Sequence, residues 1–93
     1  MNREEARQIS MDNIDRLKKE DILFRDVIEY MDAKILEAAN KGHCVAEFHE
    51  DDEPLVAMGI RNNSDVLRLI VSYYKLKGFD FYNSGSTFEM TWT

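Results

Sequence analysis

Between Asp21 and Gly42 the apolar positions Phe24, Ile28, Met31, Ile35 and Ala38 recur at spacings of three and four, the period that puts them on one side of a helix. Asp21 precedes this run and Gly42 follows it, so both ends carry a recognised stop or start signal and a helix is predicted over Asp21–Lys41. Asp26, Glu29, Asp32 and Lys34 fall largely away from the apolar stripe, as a helix lying on a core requires. Residues Met1–Glu20 permit a helix but bury little, because Ile9, Ile14 and Leu17 are separated by charge. Ser10 and Asn13 offer caps for a second short helix there. This stretch reads as a peripheral, polar helical region of a single domain whose core is 21–93.

After Gly42 the period changes to two. Cys44, Ala46 and Phe48 alternate with Val45, Glu47 and His49, the acidic stretch HEDDEP interrupts, and LVAMGI resumes as an apolar run. The simplest reading is a β-hairpin, Cys44–His49 and Leu55–Ile60, joined by an acidic loop, with Cys44 a buried small hydrophobe. Asn62, Asn63 and Ser64 mark a turn and a cap for a helix over Asp65–Lys77. Its Leu67, Ile70, Val71 and Tyr74 share a face, and Lys75 and Lys77 complement the helix dipole ahead of Gly78. Phe79–Tyr82 and Thr87–Trp92 alternate again around NSGS and predict a second hairpin, with Ile70 and Trp92 in the core and Tyr82 on the exposed face. The expected fold is therefore α+β: two N-terminal helices, a β-hairpin, a helix and a β-hairpin, with the helices on one face of a four-stranded, mainly antiparallel sheet.

With 93 residues there is room for one modest core. The charged N-terminus lacks the apolar run of a signal peptide, no stretch reaches the length that spans a bilayer, and the single cysteine cannot form an internal disulfide. These features predict a cytoplasmic protein with no membrane association. The net charge of −6 is unevenly spread, since residues 43–62 hold five acids against one base. Glu50, Asp51, Asp52 and Glu53 form a local negative surface that repels phosphate, which argues against direct nucleic-acid binding and for a partner protein with a basic or nucleic-acid-binding surface.

Candidate chemistry is thin. His43 and His49 share a strand face but lie about 20 Å apart in an extended chain, and Cys44 points the other way, so the three cannot hold one ion. HEDDEP lacks the alternating oxygen ligands and central glycine of a calcium loop. No nucleophile stands in a recognisable frame, and Gly42, Gly59, Gly78 and Gly85 stand singly, so no loop cradles a phosphate. No catalytic residue, metal or cofactor is expected. The aromatic-rich last third suggests a base-stacking platform, but its acids and bases balance and core packing explains most of its rings. Tyr82 remains as an exposed interface anchor.

ILEAANKGHCVAEF followed by LIVSYYKLKGFDFYNSGSTFEMTW resembles, in layout, small accessory proteins of tailed bacteriophages. The shared pattern is a helix ending in small residues and glycine, a short strand, a helix ending in lysine and Gly-Phe, and a C-terminal strand closing on tryptophan. The resemblance covers about Ile35 to Trp92. It implies a non-enzymatic phage-type protein in the host cytoplasm that inhibits or modulates a host or defence protein. The alternative is a virion or assembly component forming a homo-oligomer through the N-terminal helices, and a small hydrolase or metal-binding protein is the third class. The partner-binding residues implied by charge and exposure are Glu50, Asp51, Asp52, Glu53 and Tyr82.

Overall fold

The computed structural model describes residues 1–60 and 63–93, so Asn62, which the sequence places in a turn, lies outside the described residues. The elements are α1 (Arg3–Glu20), α2 (Ile22–Asn40), β1 (Val45–His49), α3 (Leu55–Met58), α4 (Ser64–Leu76), β2 (Asp80–Ser84) and β3 (Thr87–Thr91). The fold is α+β, with two N-terminal helices and a three-stranded antiparallel sheet in the order β1-β3-β2. None of the described helices is long and apolar enough to cross a membrane.

Each long helix starts on a side chain that satisfies its first free N–H groups. Asn2 accepts from the backbone of Glu5 at 2.8 Å, and Asn63 accepts from that of Asp65 at 3.0 Å. Asp21 serves two helices: its N–H closes α1 on the Leu17 carbonyl at 2.8 Å, while its carboxylate accepts from Leu23 and Phe24 at 3.0 and 3.1 Å to open α2. An extended backbone at this one residue turns the chain between the helices. Ser10 caps nothing, because α1 continues through it, and Asn13 instead donates back to the Ile9 carbonyl. In α1 only Ile14 is buried, with Leu17 half-buried against the core. Arg7 further ties the helix down by donating to the carbonyl of Leu76, the last residue of α4, at 3.1 Å.

The first expected hairpin does not form. LVAMGI is one turn of helix, α3, followed by Gly59 at φ 82°, so the sheet has three strands and not four. The backbone closes helically: Val56 N–H donates to the Asp52 carbonyl and Met58 N–H to that of Pro54. Leu55 and Ile60 are buried while Val56 is exposed, which no strand alternation produces. A short apolar run carries no periodicity that separates these two outcomes. β1 instead pairs with the C-terminal strand, from Val45↔Thr91 to His49↔Thr87. Cys44 falls just before β1 and is exposed, a correction to its expected burial.

β2 and β3 pair antiparallel from Asp80↔Thr91 to Ser84↔Thr87, which leaves Gly85 and Ser86 as the connecting turn. Gly85, at φ 66°, supplies the positive dihedral that a type II′ turn needs at its first central position. Across the three strands Ala46, Met90 and Phe81 lie in one row and Phe48 and Phe88 in the next, on the side that faces the helices. Phe48 and Phe88 stack at 5.4 Å, and α2 packs on β1 and α4 on β2.

Tyr74 is the deepest polar side chain. It is 1% exposed, and its hydroxyl donates to the Asp32 carboxylate at 2.8 Å, joining α4 to α2. Burial first, and then the Asp32 charge, push its phenol far above the ordinary tyrosine value, so it remains a neutral donor. Trp92, expected in the core, is half-buried and meets Phe79 edge-on at 5.9 Å. Ile70 is fully buried. Truncation of Ile70 to Ala is expected to cost about 2–5 kcal/mol in urea unfolding, and a loss below about 0.5 kcal/mol would contradict its place in the core.

Candidate protein-interaction surface

Alternation along a strand sends every second side chain away from the core, so the register of the sheet fixes what its other face displays. That face carries three cross-strand rows: Val45, Thr91 and Asp80; Glu47, Glu89 and Tyr82; His49, Thr87 and Ser84. Glu47 and Glu89 are directly opposite each other, with Tyr82 completing their row and 59% exposed. At strand spacings of about 4.8 Å the whole row spans about 10 Å, the footprint of a single partner side chain and its neighbours. Among the described residues in these rows His49 is the one basic side chain, and its Nε2 lies 3.6 Å from the Glu47 carboxylate. The face is therefore acidic and has one large aromatic at its β2 side.

The acidic stretch after β1 adjoins this face. Glu50 N–H donates to the Ser86 carbonyl at 3.0 Å, which holds the start of the stretch against the β2–β3 turn. Of the four acids, Asp51 and Glu53 are exposed and Glu50 is half-buried. Asp52 behaves differently from the expected free docking charge. Its carboxylate accepts from the Tyr30 hydroxyl at 3.0 Å and the His49 N–H at 3.1 Å, and it lies 3.9 Å from the Lys34 ammonium. Burial opposes its ionisation, but the His49 N–H, the Tyr30 hydroxyl and the Lys34 charge outweigh that cost and hold its carboxyl below the usual aspartate value. Burial and the same hydrogen bond push the Tyr30 phenol up to about 12.

Lys34 completes the lock. It donates to the Glu47 carbonyl at 3.1 Å and sits over the rings of Tyr30 and Phe48, so the outer edge of β1 is fastened to α2. Beside it a shallow cleft of about 320 Å³ mixes Lys34, Glu37, Lys41, Glu47 and Glu89, with charges of both signs on its walls. Among the described residues no three His, Cys, Asp or Glu side chains gather closely enough to hold a metal ion.

Charge and exposure along the chain pointed to the acidic stretch and Tyr82; they missed Glu47, Glu89 and Asp80. The signal existed, since all three occupy the polar phase of their strands, but only the β1–β3 pairing sets Glu47 against Glu89. No family model, curated protein or solved structure matches the chain.

The Asp52 network makes stability depend on pH in a defined sense. A carboxyl whose folded pKa lies below its unfolded value near 3.8 contributes stability that is complete above that value and is lost as the pH falls through the folded one. Asp52→Asn should therefore lower stability at neutral pH by about 1–2 kcal/mol. The gap from the wild type should be narrower at an acid pH below 3.8, where the Asp52 carboxyl begins to take up its proton. Urea titrations at both pH values check this, and an equal gap at both would show that the Asp52 charge holds nothing.

Proposed function

We propose that this chain is a non-enzymatic protein-binding module that docks a basic surface of another protein onto the exposed face of its sheet. The observation that carries the reading is the Glu47–Glu89–Tyr82 row. Two acids directly opposite on neighbouring strands repel each other and weaken the sheet that bears them. A lysine or arginine of a partner seated between them relieves that repulsion, and Tyr82 alongside offers a rigid amphipathic ring of the kind enriched at binding hot spots. Glu50, Asp51 and Glu53 extend the negative field toward the β2–β3 turn and steer a positive partner during approach. Asp52 contributes from behind, by holding the stretch in place. The same field repels phosphate, so a nucleic-acid-binding protein fits better as partner than nucleic acid itself. The layout resemblance to phage accessory proteins supports an inhibitor or modulator of a host or defence protein, acting in the host cytoplasm.

A second reading, a virion or assembly component that self-associates through the N-terminal helices, draws on a different observation. Ile9, Ile22 and Leu23 are exposed apolar residues on α1 and the start of α2. A closed oligomer seen by light scattering, lost on an Ile9→Ser/Leu23→Ser exchange, would favour it.

For the leading reading, stability and binding should move in opposite directions. Glu89→Gln removes one of the two opposed charges and is expected to stabilise the fold by a few tenths of a kcal/mol, about the size of a cross-strand pair effect. The same change should slow association with the partner captured from host extract and flatten its salt dependence. A variant that is destabilised, or that associates at the wild-type rate at low salt, would remove the sheet face from the function.

A further inference from the structure

The two outer edges of the sheet are treated differently. On β1 the Lys34 ammonium occupies the Glu47 carbonyl and α2 lies alongside. β2 is paired on one side only, to β3, and among the described residues no strand pairs with its other side. An antiparallel strand turns alternate N–H and C=O pairs outward, so this edge is a template for another strand. Proteins usually blunt such an edge with lysine, proline or a bulge. The sequence of β2, DFYNS, contains no lysine or proline, and its register with β3 runs unbroken over all five residues.

Directly beside that edge runs a trough of about 450 Å³ between β2 and α4. Leu67 and Val71, one helical turn apart, and Phe81 from β2 make its floor, and all three are half-buried. Arg68 and Lys75 stand on its rim, both exposed. Arg68 pairs loosely with Asp65 at 3.9 Å, between side chains 82% and 81% exposed, a contact that a stronger acceptor displaces readily. A cationic rim around an apolar floor is notable on a chain of net charge −6.

We propose that this trough and the open edge of β2 together take an extended peptide of the pattern acid–x–apolar–x–acid, which adds to the sheet as a fourth strand. Main-chain hydrogen bonds to β2 supply affinity, and the alternate side chains that point toward α4 supply selectivity. Arg68 and Lys75 are seven residues apart on one helix and therefore about 10 Å apart along its axis. Alternate residues of a strand repeat at about 6.8 Å, so an apolar residue over Leu67 and Val71 leaves acids about 6.8 Å to either side, within reach of both cations. The pattern is the same read in either direction, so it fits a strand of either polarity. A second copy of this chain is a poorer occupant: a two-fold pairing of β2 with itself lays α4 beside α4 and sets cationic rim against cationic rim. This site faces the helix side of the sheet and is separate from the acidic face.

The test is an amide-resolved NMR titration of the full chain with the capped heptapeptide Thr-Glu-Thr-Val-Thr-Glu-Thr. The expected result is a saturable response confined to β2 and to the trough side of α4. Binding should weaken by about tenfold or more when both glutamates of the peptide become lysine, or when the protein carries Arg68→Glu with Lys75→Glu. Pairing the lysine peptide with that charge-reversed protein should restore it. Both substituted side chains are exposed, so an unchanged spectrum elsewhere confirms an intact fold. No saturable response up to about 1 mM, a response on the Glu47–Glu89 face, or indifference to charge reversal would each overturn the proposal. So would a peptide-independent dimer formed through β2.

Discussion

Pairing of β3 on both of its edges is the constraint on which the rest of this structure depends. It has a neighbour on each side, so it sets Thr87–Thr91 between β1 and β2. Closing that arrangement means bringing Val45 to Thr91 across nearly the whole second half of the chain, an entropic cost that local contacts do not offset. Burial offsets it: Phe48 stacks on Phe88, Met90 is fully buried between Ala46 and the half-buried Phe81, and the helices seal this side. The same pairing decides the opposite face, because every side chain not sent inward is displayed in fixed rows outward.

The helices are held to one another and to that sheet by a small number of polar contacts placed where an unpaired group would be costly. Tyr74 reaches Asp32 through the core, Asp52 gathers Tyr30, His49 and Lys34, and Arg7 closes the end of α4. Among the described residues no buried side-chain polar atom lacks a partner. The strongly shifted groups here are the Tyr30 and Tyr74 phenols, which serve as fixed donors, so their shifts report architecture. Function is read instead from surfaces: an acidic sheet face with opposed glutamates, and an apolar trough with a cationic rim.

The two surfaces have complementary charge, which follows from how a small domain distributes a net negative balance. The excess of acids over bases is concentrated in residues 43–62, while Arg68 and Lys75 occupy the outward row of a helix whose inner row supplies the floor of the trough. Under the two proposals the face of one short sheet takes a positive partner and its edge a negative one, and neither requires the other to be occupied.

The sequence by itself determined the long helices and the alternating strands of the second half, because those signals are local. Asp21, Asn63 and the three-and-four spacing of Phe24, Ile28 and Met31 act within a few residues, and so does the turn at Gly85. It also determined that Tyr82 is exposed, since Phe81 takes the inward phase. Tertiary structure decided the rest. LVAMGI had no period long enough to choose between strand and helix, and once β3 occupied the free side of β1 no place in the sheet remained for it there. Cys44 is exposed because β1 begins one residue after it, and Asp52 is a tether because Tyr30 and Lys34 arrive from α2. Glu47 and Glu89 face each other only through a register set by distant parts of the chain, which no local pattern encodes.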